Sequence, residues 1–89
     1  MVETQFINAK LEIIREFFVS NGGLVILYFV KPEGEALLEG FYIASYEIAW
    51  GMGHDIKEAL QNASANYNNV DSEDDYNPFE EVLIAHKDL

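Results

Sequence analysis

The densest group of chemically able side chains is acidic. Asp71, Glu73, Asp74, Asp75, Glu80 and Glu81 fall within eleven residues that hold no Lys or Arg. Fully extended at ~3.3 Å per residue, such a run would carry one charge about every 6 Å. Duplex DNA carries about one per 1.7 Å of axis, counting both strands. The run therefore imitates part of a phosphate track, and a neighbouring acidic row would have to supply the rest. The alternative is a solvated loop whose charge keeps a small protein in solution. As a calcium loop it lacks the glycine at the sixth position and the terminal bidentate glutamate. His54 beside Asp55, and His86 near Asp88, have neither a cysteine nor an i, i+4 partner, so both read as surface imidazoles. No metal site is expected.

Catalysis finds no support. There is no Ser-centred elbow, no phosphate-cradling glycine loop and no base beside a nucleophile. Glu80 and Glu81 could be imagined as an acid and base pair, but adjacent strand residues point to opposite faces. The expectation is a non-enzyme without catalytic residues or cofactors. Among the aromatics, Tyr42, Tyr46 and Trp50 recur every four residues in a segment that reads as one strand, which puts them on one face. If a helix covers the other face, they form an exposed row suited to binding; if it covers theirs, they are core.

Charge narrows the class of partner. Sixteen acids against five bases give the 89-residue chain a formal charge of −11. Residues 55–89 carry −7 of it and residues 1–54 carry −4. Phosphate is repelled, which disfavours nucleic acid and anionic lipid as direct ligands and favours a basic protein. With no cysteine, disulfide frameworks, zinc ribbons and thiol catalysis are excluded. The N-terminus lacks the basic start of a secretory signal, and the longest apolar run, Leu24 to Val30, is far short of the ~20 residues that span a bilayer. A soluble, cytoplasmic protein is expected.

Length and composition allow a single domain over residues 1–89. Asn21-Gly22-Gly23 separates two apolar runs and marks a hairpin turn. The run before it alternates through Leu11, Ile13, Phe17 and Val19, a strand pattern, although Ile7, Leu11, Ile14 and Phe18 also fit a helix. The run after it is apolar throughout, as in a strand covered on both faces. Phe17, Phe18, Phe29 and Phe41 read as core. A turn at Pro32-Glu33-Gly34-Glu35 leads to a third strand over 41–50, and Gly51-Met52-Gly53 reads as a link. Ile56, Ala59, Leu60, Ala63 and Tyr67 then mark one face of an amphipathic helix, capped by Asp55 with Glu58 three residues on and ended by Asn68-Asn69. Residues 71–81 read as a loop. Pro78 to His86 fits either a helix begun by Asn77-Pro78 or a closing strand, and the strand is favoured because the sheet edge needs cover.

The stretch Glu39-Gly40-Phe41-Tyr42-Ile43-Ala44-Ser45-Tyr46, followed by Gly53-His54-Asp55-Ile56-Lys57-Glu58-Ala59-Leu60-Gln61-Asn62-Ala63, resembles the HicB-type antitoxin domain. That resemblance covers a quarter to a third of the chain and implies a β-β-β-α core. The family's Pro-Gly link is absent here, as is its basic operator-binding tail. In size and charge the chain is also similar to the small acidic inhibitors that phages direct against nucleases and CRISPR complexes.

The expected fold is α+β, an antiparallel three- to four-stranded sheet with one helix on a face. The expected function is inhibition by binding, of anti-CRISPR, anti-restriction or antitoxin type. The protein would occupy the nucleic-acid surface of a basic partner through the six acids and Tyr42, Tyr46 and Trp50. The alternative is a non-enzymatic interaction domain, a homodimer through its sheet face, whose acidity serves only solubility.

Overall fold

The computed structural model of the chain describes residues 9–32, 40–70 and 76–89. The elements in order are β1 (Ala9–Phe18), β2 (Leu24–Pro32), β3 (Phe41–Tyr46), β4 (Ala49–Gly53), α1 (Ile56–Val70) and α2 (Pro78–Ala85). The four strands form an antiparallel meander in the order β1-β2-β3-β4. The fold is thus α+β. α1 lies across β4 and β3, and α2 packs beside α1 and touches β2. Both helices share one face of the sheet, and Val25, Leu27, Ala44, Leu60, Ala63 and Phe79 fill the space between. Burying side chains the size of Leu60 or Phe79 stabilises the fold by about 1.5–3 kcal/mol each.

Local chemistry explains most boundaries. The β1–β2 chain reversal falls at Asn21-Gly22, where Gly22 takes φ 89° and the Asn21 side-chain Oδ1 accepts from the Gly23 N–H at 2.9 Å. Asp55 caps α1 by accepting from the Glu58 N–H at 2.7 Å, while Glu58 reaches back to the His54 N–H at 2.9 Å. The helix continues past Asn68-Asn69 to Val70.

Three sequence expectations give way. The segment 41–50 is two strands, because the chain turns at Glu47-Ile48 with Glu47 in the left-handed region at φ 53°. Neither residue is a turn former, so the sequence carries no signal for that hairpin. Gly51-Met52-Gly53 is strand, not link. It holds glycine because α1 comes so close that a Cβ on Gly51 would overlap the Ala63 backbone nitrogen, and one on Gly53 that of Ala59. Finally, Pro78–Ala85 is a second helix rather than a closing strand. Asn77 caps it by accepting from the Phe79 and Glu80 N–H groups, with Pro78 in the first turn, and Phe79 and Val82 are buried. Cap and packing outweigh the strand preference of Val82 and Ile84. Glu80 and Glu81 consequently sit on a helix, not in a loop. The turn expected at 33–35 lies outside the described residues.

A β-bulge governs what β1 shows. Ile13 pairs with Tyr28 and Arg15 with Leu27, which leaves Ile14 as the extra residue. The bulge inverts the inside–outside phase of the strand. Phe17 and Val19 therefore face the helices, while Leu11 and Ile13, of the same parity in sequence, face away. Phe18 turns outward with them and is 86% exposed, a correction to its core reading. The radius of gyration of 14.5 Å exceeds the ~12 Å of a compact chain this long, in keeping with a β1 whose residues Lys10 to Glu16 are all exposed.

Candidate interaction surface

The face of the sheet turned away from α1 and α2 has no element of the described residues over it. Register defines its rows. Ile13, Tyr28, Ile43 and Met52 form one; Glu16, Ile26, Ser45 and Trp50 form the next; Phe18 and Leu24 stand above them. Leu11, Ile13, Trp50 and Met52 are 59, 58, 51 and 48% exposed, and with Phe18 they rim the face. Leu24, Ile26, Tyr28, Phe41 and Ile43 are half-buried between those rims. β2 is therefore open on this face over Leu24, Ile26 and Tyr28, while Val30, opposite Leu11 and Phe41 on the same face, is buried at 4% exposed. The expectation of cover on both faces, from its unbroken apolar run, holds only at that end. Glu16 is the single charged side chain in these rows.

The strand hairpin separates the three aromatics expected on one face. Tyr42 and Tyr46 lie on the helix side. Tyr46 is buried, its hydroxyl accepts from the Asn21 amide at 2.7 Å, and its ring meets Tyr67 and Phe79 edge-on at 6.0 and 6.4 Å. Tyr42 packs on Phe29 with ring centroids 5.1 Å apart. Trp50, beyond the turn and opposite Ser45, faces the uncovered side.

The acidic residues are divided too. Asp71, Glu73, Asp74 and Asp75 lie outside the described residues. Glu80 is exposed on α2. Glu81 is engaged within the fold, where its carboxylate accepts from the Ser20 N–H at 3.1 and 2.9 Å, the Ser20 hydroxyl at 2.7 Å and the Tyr76 hydroxyl at 2.6 Å. The Tyr76 and Ser20 donors hold it below the usual carboxylate range. An open groove of about 410 Å³ runs past Tyr76, Asn77, Glu80, Glu81, Ile84 and Ala85. Among the described residues no three His, Asp or Glu side chains gather as for a metal ion, and no helix is long and apolar enough to cross a membrane.

Both sheet edges are managed. Asn66 and Asn62 of α1 donate to the Trp50 and Met52 carbonyls at 2.6 Å each, so the helix occupies the β4 edge. The β1 edge carries Lys10, Glu12, Arg15 and Glu16 and the bulge, devices that blunt strand addition. Sequence reasoning passed over Leu11, Ile13, Phe18 and Met52. A signal existed, since strands apolar on both sides need two covering layers and only one amphipathic helix was evident. The chain matches no family model, no curated protein and no solved structure.

Proposed function

We propose that this protein works by binding another protein, through the uncovered sheet face rimmed by Leu11, Ile13, Phe18, Trp50 and Met52. The carrying observation is the exposure of five large apolar side chains on a face that the described elements leave open. Contiguous apolar area of this kind marks interaction sites on small proteins, and Trp and Met are enriched where partners meet. It acts without catalysis.

A second reading, inhibition of a basic nucleic-acid-handling protein of the anti-CRISPR, anti-restriction or antitoxin kind, is favoured by how charge is dealt along the chain. All five bases and eight of the acids stand in residues 9–32, 40–70 and 76–89, a net of −3. The other eight acids, Asp71, Glu73, Asp74 and Asp75 among them, fall in segments 1–8, 33–39 and 71–75 with no base. Such segments would steer a basic groove and fix its register. Capture of interacting proteins from lysate at low and high salt separates the two readings. A partner lost with Trp50→Ser but kept when Glu73, Asp74 and Asp75 become Ser supports the face. The reverse, with strong salt sensitivity, supports charge mimicry.

A further inference from the structure

We infer that the occupant of the open face is a second copy of this chain, packed sheet on sheet about a two-fold axis parallel to the strands. This rests on the face being an interaction surface. Area is the first argument. Taking about 200 Å² for a fully exposed large side chain, the five rim residues at 48–86% exposure leave roughly 600 Å² open. Half-buried Leu24, Ile26, Tyr28, Phe41 and Ile43 bring the total towards the ~800 Å² per partner of a standard stable interface. It is also at the top of the ~300–600 Å² typical of the largest patch on a monomer.

Charge is the second argument. In a protein of −11, the rows of this face hold one charge, Glu16. A basic partner would find almost no acid here to meet, whereas another apolar face covers it with only Glu16, at the β1 edge, to desolvate. A second copy brings such a face. Edge pairing is the competing way to dimerise a sheet. Asn62 and Asn66 obstruct it at β4, and the bulge and alternating charges of β1 obstruct it at the other edge.

The axis sets which strands meet. A two-fold parallel to the strands reverses their order, so β1 of one copy lies over β4 of the other and each row lies over itself. Ile13 then faces the second copy's Met52, and Leu11 and Phe18 close over the far rim. The most exposed side chains are covered by each other, and the sheets pack ~10 Å apart as in a sandwich.

The test is sedimentation equilibrium of the whole chain up to on the order of 1 mM, in low and moderate salt, with thiol cross-linking of paired variants. The protein has no cysteine, so introduced thiols are unique. The wild type is expected to sediment as a dimer, and more firmly in salt, which screens the repulsion of two acidic copies. Trp50→Glu is expected to give a monomer with unchanged circular dichroism. Mixed Ile13→Cys and Met52→Cys proteins should be joined by a bismaleimide of about 10 Å reach. Neither variant alone should be, since like thiols would stand about 17 Å apart across three strand spacings and the sheet gap. A wild type that is monomeric throughout, a dimer untouched by Trp50→Glu, or cross-linking of Ile13→Cys alone overturns the inference. A monomer that still captures a different protein through Trp50 overturns the second copy and leaves the face as a binding surface. A monomer whose captures ignore Trp50 removes both.

Discussion

Ser20 and Glu81, 61 residues apart, are joined by three hydrogen bonds: the Ser20 N–H reaches both carboxylate oxygens and its hydroxyl reaches Oε1 at 2.7 Å. The pair ties the β1–β2 turn to α2, the last element of the fold. Tyr76, just before that helix, adds its hydroxyl to the same oxygen at 2.6 Å. A glutamate that reads in sequence as one more surface charge is thus a cross-brace.

The brace makes stability depend on acid pH. Glu81 is held below its usual value, by the Tyr76 hydroxyl first and Ser20 next. Its contribution is therefore present above the unfolded carboxylate value and is lost as pH falls through the lower folded value. Thermal midpoints from about pH 6 down to about pH 2 should fall more steeply for the wild type than for Glu81→Gln. Equal slopes would mean that the bonds are not formed in solution.

Tyr76 answers at the other end of the scale. Burial, then its hydrogen bond to Glu81, raises the phenol above its ordinary value. The neutral form is favoured on folding, so this contribution is complete below about pH 10 and is lost as pH rises through the higher folded value. Spectrophotometric titration at alkaline pH should show one tyrosine ionising late, and Tyr76→Phe should remove that step. Persistence of the step would assign it elsewhere.

α1 rides on glycine. Ala in place of Gly51 or Gly53 would drive a methyl group into the backbone of α1 near Ala63 or Ala59. Overpacking of this kind costs about 1–3 kcal/mol, and urea unfolding of each variant should show that loss. An unchanged midpoint would mean that helix and strand separate easily.

Asn77 serves two helices at once. Its carbonyl caps α2, while its amide donates to the Ser64 carbonyl and hydroxyl and to the Asn68 side chain at 3.0–3.1 Å. Asn77→Ala is expected to destabilise by about 1–2 kcal/mol as a lost cap. The buried Phe79 N–H left unpaired should push it to the upper end. Asn77→Asp keeps the cap acceptor but sets a carboxylate oxygen against the Ser64 carbonyl and the Asn68 side-chain oxygen in a buried site, and should be no more stable than alanine in chemical unfolding.

The acids of residues 73–75 should act on folding in the opposite sense. Replacing Glu73, Asp74 and Asp75 together by Ser is expected to leave the melting temperature unchanged or slightly raised, since it relieves self-repulsion in a −11 chain. For the same reason the wild-type midpoint should rise from zero to ~0.1 M sodium chloride, where screening reaches ~10 Å. If charge mimicry carries binding, the triple change weakens capture of a basic partner at least tenfold, about 1.4 kcal/mol. A melting temperature that drops instead would show these acids paired within the fold.

Much of the architecture was legible because it depends on neighbours in sequence. The β1–β2 turn follows from Asn21-Gly22, and α1 from its apolar period and from Asp55 and Glu58, interactions that close within four residues. The strand character of β1 and β2 followed from their apolar and β-branched content. Tertiary structure alone decided which side of each strand is covered. One extra residue at Ile14 inverts the phase of β1, and a turn at Glu47-Ile48 sends Trp50 to the face opposite Tyr42 and Tyr46. Neither leaves a mark in composition, because a bulge and an unfavourable turn are held by backbone pairing with the neighbouring strand and by packing, which residue types do not encode. α2 was undecided for a similar reason. Asn77-Pro78 and the pair Val82 and Ile84 argue opposite ways, and the burial of Phe79 and Val82 against the core, beside the bond from Asn77 to Ser64, settles it. Glu81 became a brace and the far face of the sheet an open surface by the same logic. Local sequence dictates what an element is, and only long-range packing dictates what it meets.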